Sequence, residues 1–240
     1  MATVTAHAAR RPRDYVRVAG PDAVDFLQRM VSNDVTSGDV VDALLLTPKG
    51  RLIAPLRIWR RGGEDFLVGT EPGLGDLVRT TLVRARFAAK VELEPEEHVS
   101  VLVWEDDFAE AEERLDGDVD PTVDDVERAR IAAGVPAWGR ELDENVLPAE
   151  AGLDATHISF TKGCYPGQEP IARLHYRGHV NKRLRVLEVE SAQPGDEVVH
   201  EGKVVGRVTS AVPGRALAYV RTTVPDDAVL DVNGREARLH

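Results

Sequence analysis

The sequence predicts an α+β protein in which a mixed α/β region, residues 1–181, is followed by a small antiparallel β-unit, residues 182–240. Two observations carry this. Up to residue 181, apolar runs of strand length alternate with stretches of helical period. After Asn181 the texture changes: Leu184–Val189, Glu197–His200, Lys203–Thr209, Ala216–Tyr219 and Val229–Val232 are short alternating runs spaced by Pro-Gly, Glu-Gly, Pro-Gly and Asn-Gly turns. Such spacing reads as a small antiparallel barrel or sandwich.

Taken in order, Tyr15–Val18 reads as a short strand, and Gly20-Pro21-Asp22 opens a helix with Asp22 as N-cap and Val24, Phe26, Leu27 and Met30 as its apolar face. Val40–Leu46 and Leu52–Trp59, joined by Thr47-Pro48-Lys49-Gly50, form a hairpin with a proline-led turn. Phe66–Val68 is a third strand after the Gly62-Gly63 turn. The clearest helix is Pro72–Ala88, where Leu74, Leu77, Val78, Thr81, Leu82 and Ala85 recur at helical spacing. Val91–Leu93 and Val99–Trp104 read as strands, and the acid-rich Glu105–Glu113 as a short solvated helix. Thr122 and Asp125 resemble a capping box for a helix over Val123–Ala133, which stops at Gly134 before Pro136. Residues 135–160 are turn-rich.

Composition narrows the function classes. With 42% apolar and 30% charged residues the chain is an ordinary globular one. Its net charge of −11 and pI near 5.1 disfavour nonspecific binding to nucleic acid or to an anionic membrane. No apolar run approaches the ~20 residues of a membrane span. Met1–Arg13 has no apolar core of a secretory signal, and the lone cysteine fits a reducing compartment, so the expected location is cytoplasmic.

That cysteine sits in Lys162-Gly163-Cys164-Tyr165-Pro166-Gly167-Gln168-Glu169. From 162 to 185, Lys162, Arg173, Arg177, Lys182, Arg183 and Arg185 face the single acid Glu169, a sum of +5, so the remainder of the chain sums to −11 − 5 = −16. Pro166-Gly167 suits the centre of a type II turn, and Glu169-Pro170 a helix start with Glu169 paired to Arg173. Cys164 would then precede a helix N-terminus and adjoin Lys162, and both favour a thiolate. The plainer reading is a small cysteine packed in a tight turn. His157, His175 and His179 lie near enough in sequence for a Cys–His pair, but the spacing selects none of them. Cys164, His175 and His179 fall short of the four ligands of structural zinc, so no tightly bound metal is expected; a transient cluster ligand remains open. The cation run 173–185 would suit an RNA- or protein-interaction face.

The motif resembles the K-G-C-[FY]-x-G-Q-E signature of the YgfZ proteins, relatives of the glycine-cleavage T-protein. Ala172-Arg173 and Gly178 extend the likeness, as do Phe26-Leu27-Gln28, Asn33-Asp34-Val35, the Leu45–Arg60 hairpin, Leu147-Pro148-x-Glu150 and Val205–Ser210. The resemblance implies a T-protein-like folate-binding region of two subdomains, ending in the Cys loop and followed by a C-terminal β-barrel. It further implies possible binding of tetrahydrofolate, and assembly or repair of iron–sulfur client proteins. Transfer RNA would be involved only through clients that modify it. Cys164 would be the functional thiol, with Lys162, Gly163, Tyr165, Gly167, Gln168, Glu169 and Arg173 completing the motif. Where T-proteins carry Gly-x-x-x-Asp-Asp, this chain has Gly50-Arg51-Leu52-Ile53-Ala54-Pro55, and the pterin-contacting Glu is Ala132, with Glu127 as a conceivable substitute. These departures argue against the alternative, a tetrahydrofolate-dependent aminomethyl transferase.

Overall fold

A computed structural model of the chain describes residues 7–105, 107–116 and 126–240. The α/β region holds two sheets. The larger is built from β2 (Asp14–Ala19), β3 (Val40–Leu46), β4 (Leu52–Arg60), β5 (Asp65–Thr70) and β6 (Glu92–Glu96), in the order β3-β4-β5-β2-β6, every pair antiparallel. One face packs on helices α1 (Ala23–Met30) and α2 (Gly75–Ala85) through Val16, Phe26, Leu27, Leu45, Leu56, Val78 and Leu82, all buried. Side chains alternate along β3, so Leu44 and Leu46 turn to the opposite face, where Leu52, Leu142, Leu153 and Tyr165 meet them. Pro55 is tolerated in this interior strand because the β4–β5 ladder runs only from Leu56 to Arg60; Thr70 Oγ1 donates to the Pro55 carbonyl at 2.9 Å.

The smaller sheet joins β1 (His7–Arg11), β7 (Ser100–Trp104) and β8 (Glu112–Leu115) in the order β1-β7-β8. Neither β1 nor β8 is expected from the sequence. The acidic stretch expected to be a solvated helix instead makes one 3-10 turn at Phe108–Glu110 and then β8, with Glu113 buried at 5% exposure. Arg13 accounts for this, giving Nε and Nη2 to the two Glu113 oxygens at 2.6 and 2.8 Å.

Two helix expectations are corrected at their ends, and the start of a third lies outside the described residues. Asp22 does not cap α1 with its side chain; its carboxylate accepts from the Lys90 amide at 2.7 Å. Helix α2 is shorter than Pro72–Ala88, because Gly73 (φ 85°) and Phe87 (φ 44°) reverse the chain at either end, and Leu77 faces solvent at 48% exposure. Helix α3 is Val126–Ala132; the capping pair Thr122 and Asp125 lies outside the described residues.

After α4 (Gln168–Arg177) the chain forms a closed barrel of β9 (Lys182–Val189), β10 (Glu197–His200), β11 (Lys203–Val212), β12 (Gly214–Arg221), β13 (Val229–Val232) and β14 (Arg235–Leu239). The order is β10-β11-β12-β9-β14-β13, closed by β10 on β13, so the barrel rather than the sandwich is correct. Alternate residues Leu187, Val189, Ala216, Ala218, Val220, Leu230 and Val232 fill it. It is bolted to the α/β region by a buried polar cluster. Arg130 Nη1 donates to Glu141 Oε2 at 2.8 Å and Nη2 to Ser210 Oγ at 2.9 Å, while Ser210 Oγ donates to Glu141 Oε1 at 2.6 Å.

Candidate functional site: the Cys164 loop

The expected type II turn is present: Gly167 has φ 85° and ψ 0°, and the Gln168 amide donates to the Tyr165 carbonyl at 3.2 Å. The turn is seated on the β3–β4 hairpin. A Cβ at Gly167 would meet the Thr47 carbonyl oxygen at 2.5 Å, and one at Gly50 would meet Pro170 at 3.2 Å and Ile171 at 3.3 Å. Tyr165 anchors the loop from below, 6% exposed among Leu44, Leu46, Leu52 and Ile171. Lys162 anchors it from the side, donating Nζ to the carbonyls of Val31 at 2.7 Å and Asn33 at 2.9 Å. Between these anchors Cys164 is exposed, and an added Cβ at Gly163 meets nothing within 4 Å. A cysteine packed in a tight turn is therefore not what the fold builds. It builds a free thiol on the crest of a loop whose neighbours are fixed.

The early matched segments now have a physical role. Gln28 Nε2 donates to Asp34 Oδ1 at 2.8 Å and its Oε1 accepts from the Val35 amide at 3.1 Å, while Asn33 Nδ2 donates to the carbonyls of Asp42 and Thr156. They shape the carbonyls that Lys162 grips, a function that sequence reading does not assign to them.

Burial pulls the Lys162 amine down to about 8, only partly offset by Asp34. The unfolded chain then holds more protons than the native one between pH 8 and the ordinary lysine value of 10.5, so this group makes stability rise with pH from about 8 upward. Tyr165, pushed up to about 12 by burial, pulls the other way above pH 10, its unfolded value. Chemical denaturation from pH 7.5 to 10 should therefore show a rising contribution that Lys162→Met abolishes.

The remaining expected residues are placed as follows. Helix α4 starts at Gln168, and Pro170 stands within its first turn. Glu169 and Arg173 are both exposed, and no ion pair joins them among the described residues. His175 and His179 do not share a helical face, because α4 ends at Arg177 and Gly178 is extended. His175 stacks on Phe160, ring centroids 3.8 Å apart. His157 is not on the loop's crest; burial pushes its imidazole down, and Thr156 Oγ1 lies 2.7 Å from its Nδ1. Among the described residues no group of three or more His, Cys, Asp and Glu is arranged to hold a metal ion. A larger hollow of about 720 Å³ is lined by Tyr15, Arg79, His98 and Asp116, with no residue from the Cys loop.

The residues present do not fit a carboxylate-anchored pterin. Ala132 ends α3 with no polar side chain. Glu127 cannot substitute: Arg130 and Arg140 both hold its carboxylate. On the sheet face opposite the helices Leu44 lies across from Pro55, and the next pair, Asp42 and Arg57, is joined at 3.1 Å. Glu113 is likewise taken by Arg13. Each of these three carboxylates has a cation of its own, so none of the three is free for a ligand amidine.

A mixed body of this topology closed by a six-stranded barrel defines the aminomethyltransferase fold. Aminomethyltransferase T of the glycine cleavage system from Bartonella henselae superposes with a TM-score of 0.80 over 99% of this chain and 85% of that one, at 16% identity. Residues 181–240 match the family described as the CAF17 C-terminal beta-barrel domain. In sequence the chain is similar to the mitochondrial iron-sulfur cluster assembly factor IBA57 homolog of Pyricularia oryzae, 29% identical over 90% of this chain and 67% of that protein. It is also similar to mitochondrial IBA57 of Mus musculus, 27% identical over 85% and 72%. The chain thus has the aminomethyltransferase fold and is similar in sequence to IBA57 proteins, with the likeness to the CAF17 barrel confined to residues 181–240. Among the described residues no helix is long and apolar enough to cross a membrane.

Proposed function

We propose that this protein is a YgfZ-type accessory factor for the assembly or repair of iron–sulfur proteins, acting through the Cys164 thiol in the cytoplasm. The observation that carries the reading is the exposure of the chain's only cysteine on a loop that Lys162, Tyr165 and Gly167 fix in place. Its kinship with iron–sulfur assembly factors supports the same role. The cluster is cargo. Cys164 would lose its proton to solvent and donate sulfur to an iron of a cluster held mainly by another protein, with Gly163 leaving that approach open. The client enzymes include those that modify tRNA, and the protein meets RNA through them.

Cells carrying Cys164→Ala should lose most activity of their [4Fe–4S] enzymes while the variant accumulates at the normal level. Full client activity in that strain would remove the thiol from the account. Because the thiol is exposed, its loss should change stability by no more than about 0.5 kcal/mol.

Tetrahydrofolate is the weaker part of the reading, since each missing charge-assisted bond forgoes about 1.5–3 kcal/mol. Titration followed by the fluorescence of Trp59, Trp104 and Trp138 should show no saturation below millimolar ligand. Tight binding would restore folate as a cofactor. Glycine-cleavage turnover with a lipoyl carrier protein would convert the accessory factor into a transferase.

A further inference from the structure

The outer face of the barrel carries two cations set directly against each other. In the antiparallel ladder of β9 and β12, Lys182 lies opposite Arg221, so both side chains leave the same face of the sheet. Like charges in opposed positions destabilise a sheet, and among the described residues no ion pair engages either of these two. Lys182 is held in place by Tyr219, whose ring centroid lies 4.5 Å from Nζ, while the Tyr219 hydroxyl turns away to the Glu141 carbonyl.

The pair forms a ridge common to two hollows. One, of about 530 Å³, adds His179, Asn181 and Thr223 to the lining; the other, of about 450 Å³, adds Val205, Arg207 and Tyr219. Lys182, Arg207 and Arg221 face one lining acid, Glu150, which accepts from the Leu147 amide at 3.2 Å. Arg207 also has Glu197 at 3.6 Å, so Lys182 and Arg221 are the unanswered charges. Thr222 gives its hydroxyl to the Val180 carbonyl at 2.9 Å, but the side chains of Asn181 and Thr223 hydrogen-bond no other described residue.

Charge selects the ligand. A carboxylate, at −1, leaves one of the two opposed cations unanswered. A phosphomonoester brings about −1.5 to −2 at pH 7 and three acceptor oxygens, which the arginine fork and the lysine ammonium both suit. Each hollow falls within the range of about 300–1,000 Å³ of small-ligand sites, leaving room for an organic part beside the phosphate. A long nucleic-acid backbone is the poorer match, because the net charge of −11 repels an extended polyanion.

We propose that Lys182 and Arg221 form a binding site for a phosphomonoester of nucleotide size. His179, Asn181 and Thr223 supply further donors to the phosphate, and the organic part lies in one of the two hollows. None of these residues belongs to the Cys164 loop, and the site does not depend on the assembly reading. The test is a titration of the isotope-labelled full chain with AMP in phosphate-free buffer, followed by amide chemical shifts. Saturable shifts confined to residues 179–183, 203–209 and 219–223 are expected, with none from adenosine. Lys182→Met and Arg221→Gln should each weaken AMP about tenfold or more. Arg235→Gln, exposed on the barrel but lining neither hollow, should bind as the parent does. An unchanged spectrum elsewhere certifies the fold of each variant. No saturation at millimolar AMP, equal binding of adenosine, or full affinity in both site variants would overturn the proposal. Tighter binding of a polyglutamate peptide at the same amides would overturn it in favour of an acidic protein segment. A 5′-phosphorylated tetrauridylate separates the sources of the chemistry: binding tighter than that of AMP identifies an RNA end, and weaker binding a free nucleotide. Equal binding of the 5′-hydroxyl tetrauridylate would show recognition of the diester backbone and sink the proposal.

Discussion

Glu141→Ala should cost on the order of 3 kcal/mol, because it takes from a buried guanidinium the more deeply buried of its two carboxylates and leaves it Glu127 alone. Glu141 is 1% exposed, and its carboxylate accepts from Arg130, Ser210 and the Ala137 amide. Its carbonyl also receives the Tyr219 hydroxyl at 2.9 Å. Removal of the side chain strands Arg130 Nη1, which retains only the Val135 carbonyl, and deprives Ser210 of its acceptor. For a domain of this size each kcal/mol moves the midpoint by about 2–4 °C, so Tm should fall by roughly 6–12 °C. Ser210→Ala removes a neutral group and should cost about 1 kcal/mol. Equal effects of the two variants would show that Glu141 acts by packing alone. Since Ser210 and Tyr219 belong to the barrel, early proteolysis of the Glu141 variant should free a barrel-containing fragment.

Gly167→Ala should cost on the order of 3 kcal/mol, combining a left-handed backbone with a collision. The new Cβ would sit 2.5 Å from the Thr47 carbonyl oxygen and 3.0 Å from Gly50 Cα, both backbone atoms with little room to move. The loop would have to lift off the hairpin, carrying Cys164 with it. Client activity should therefore fall even in the fraction that remains folded, with the thiol still titratable by a small alkylating reagent. Gly163→Ala, four positions nearer the start of the motif, is the control: open space surrounds its Cβ, and stability should stay within about 0.5 kcal/mol. A Gly167 variant as stable and active as the Gly163 one would refute the seating of the loop.

What was legible in the sequence was what is local. The Pro48-led hairpin, the Pro166-Gly167 turn and the short strands of the barrel each follow from neighbouring residues whose backbone preferences agree. The misses are non-local. Nothing in Glu112-Glu113-Arg114-Leu115 announces a strand, because the arginine that lets Glu113 be buried lies 100 residues earlier. His7–Arg11 is cationic, with only Ala8 and Ala9 buried, and lacks an alternating signature. At the site, the motif singled out Lys162, but not its grip on two carbonyls 131 and 129 residues away. The hollow beside α4 had no such signal, because Pro148, Ile158, Phe160, Ile171 and Leu174 in its lining come from segments that no window of sequence contains.

The pairing of β1 with β7 has a consequence for how the chain is made. His7 finds its partner in Trp104, so the first strand leaves the ribosome long before the strand that will receive it. At about 5–20 residues per second the wait is roughly 5–20 s. In that interval the larger sheet can close, since its last strand, β6, is complete at Glu96, before β7 begins. The leading strand would thus be added to a body already formed, and slowing translation between residues 97 and 104 should prolong its exposure to proteases without delaying the larger sheet.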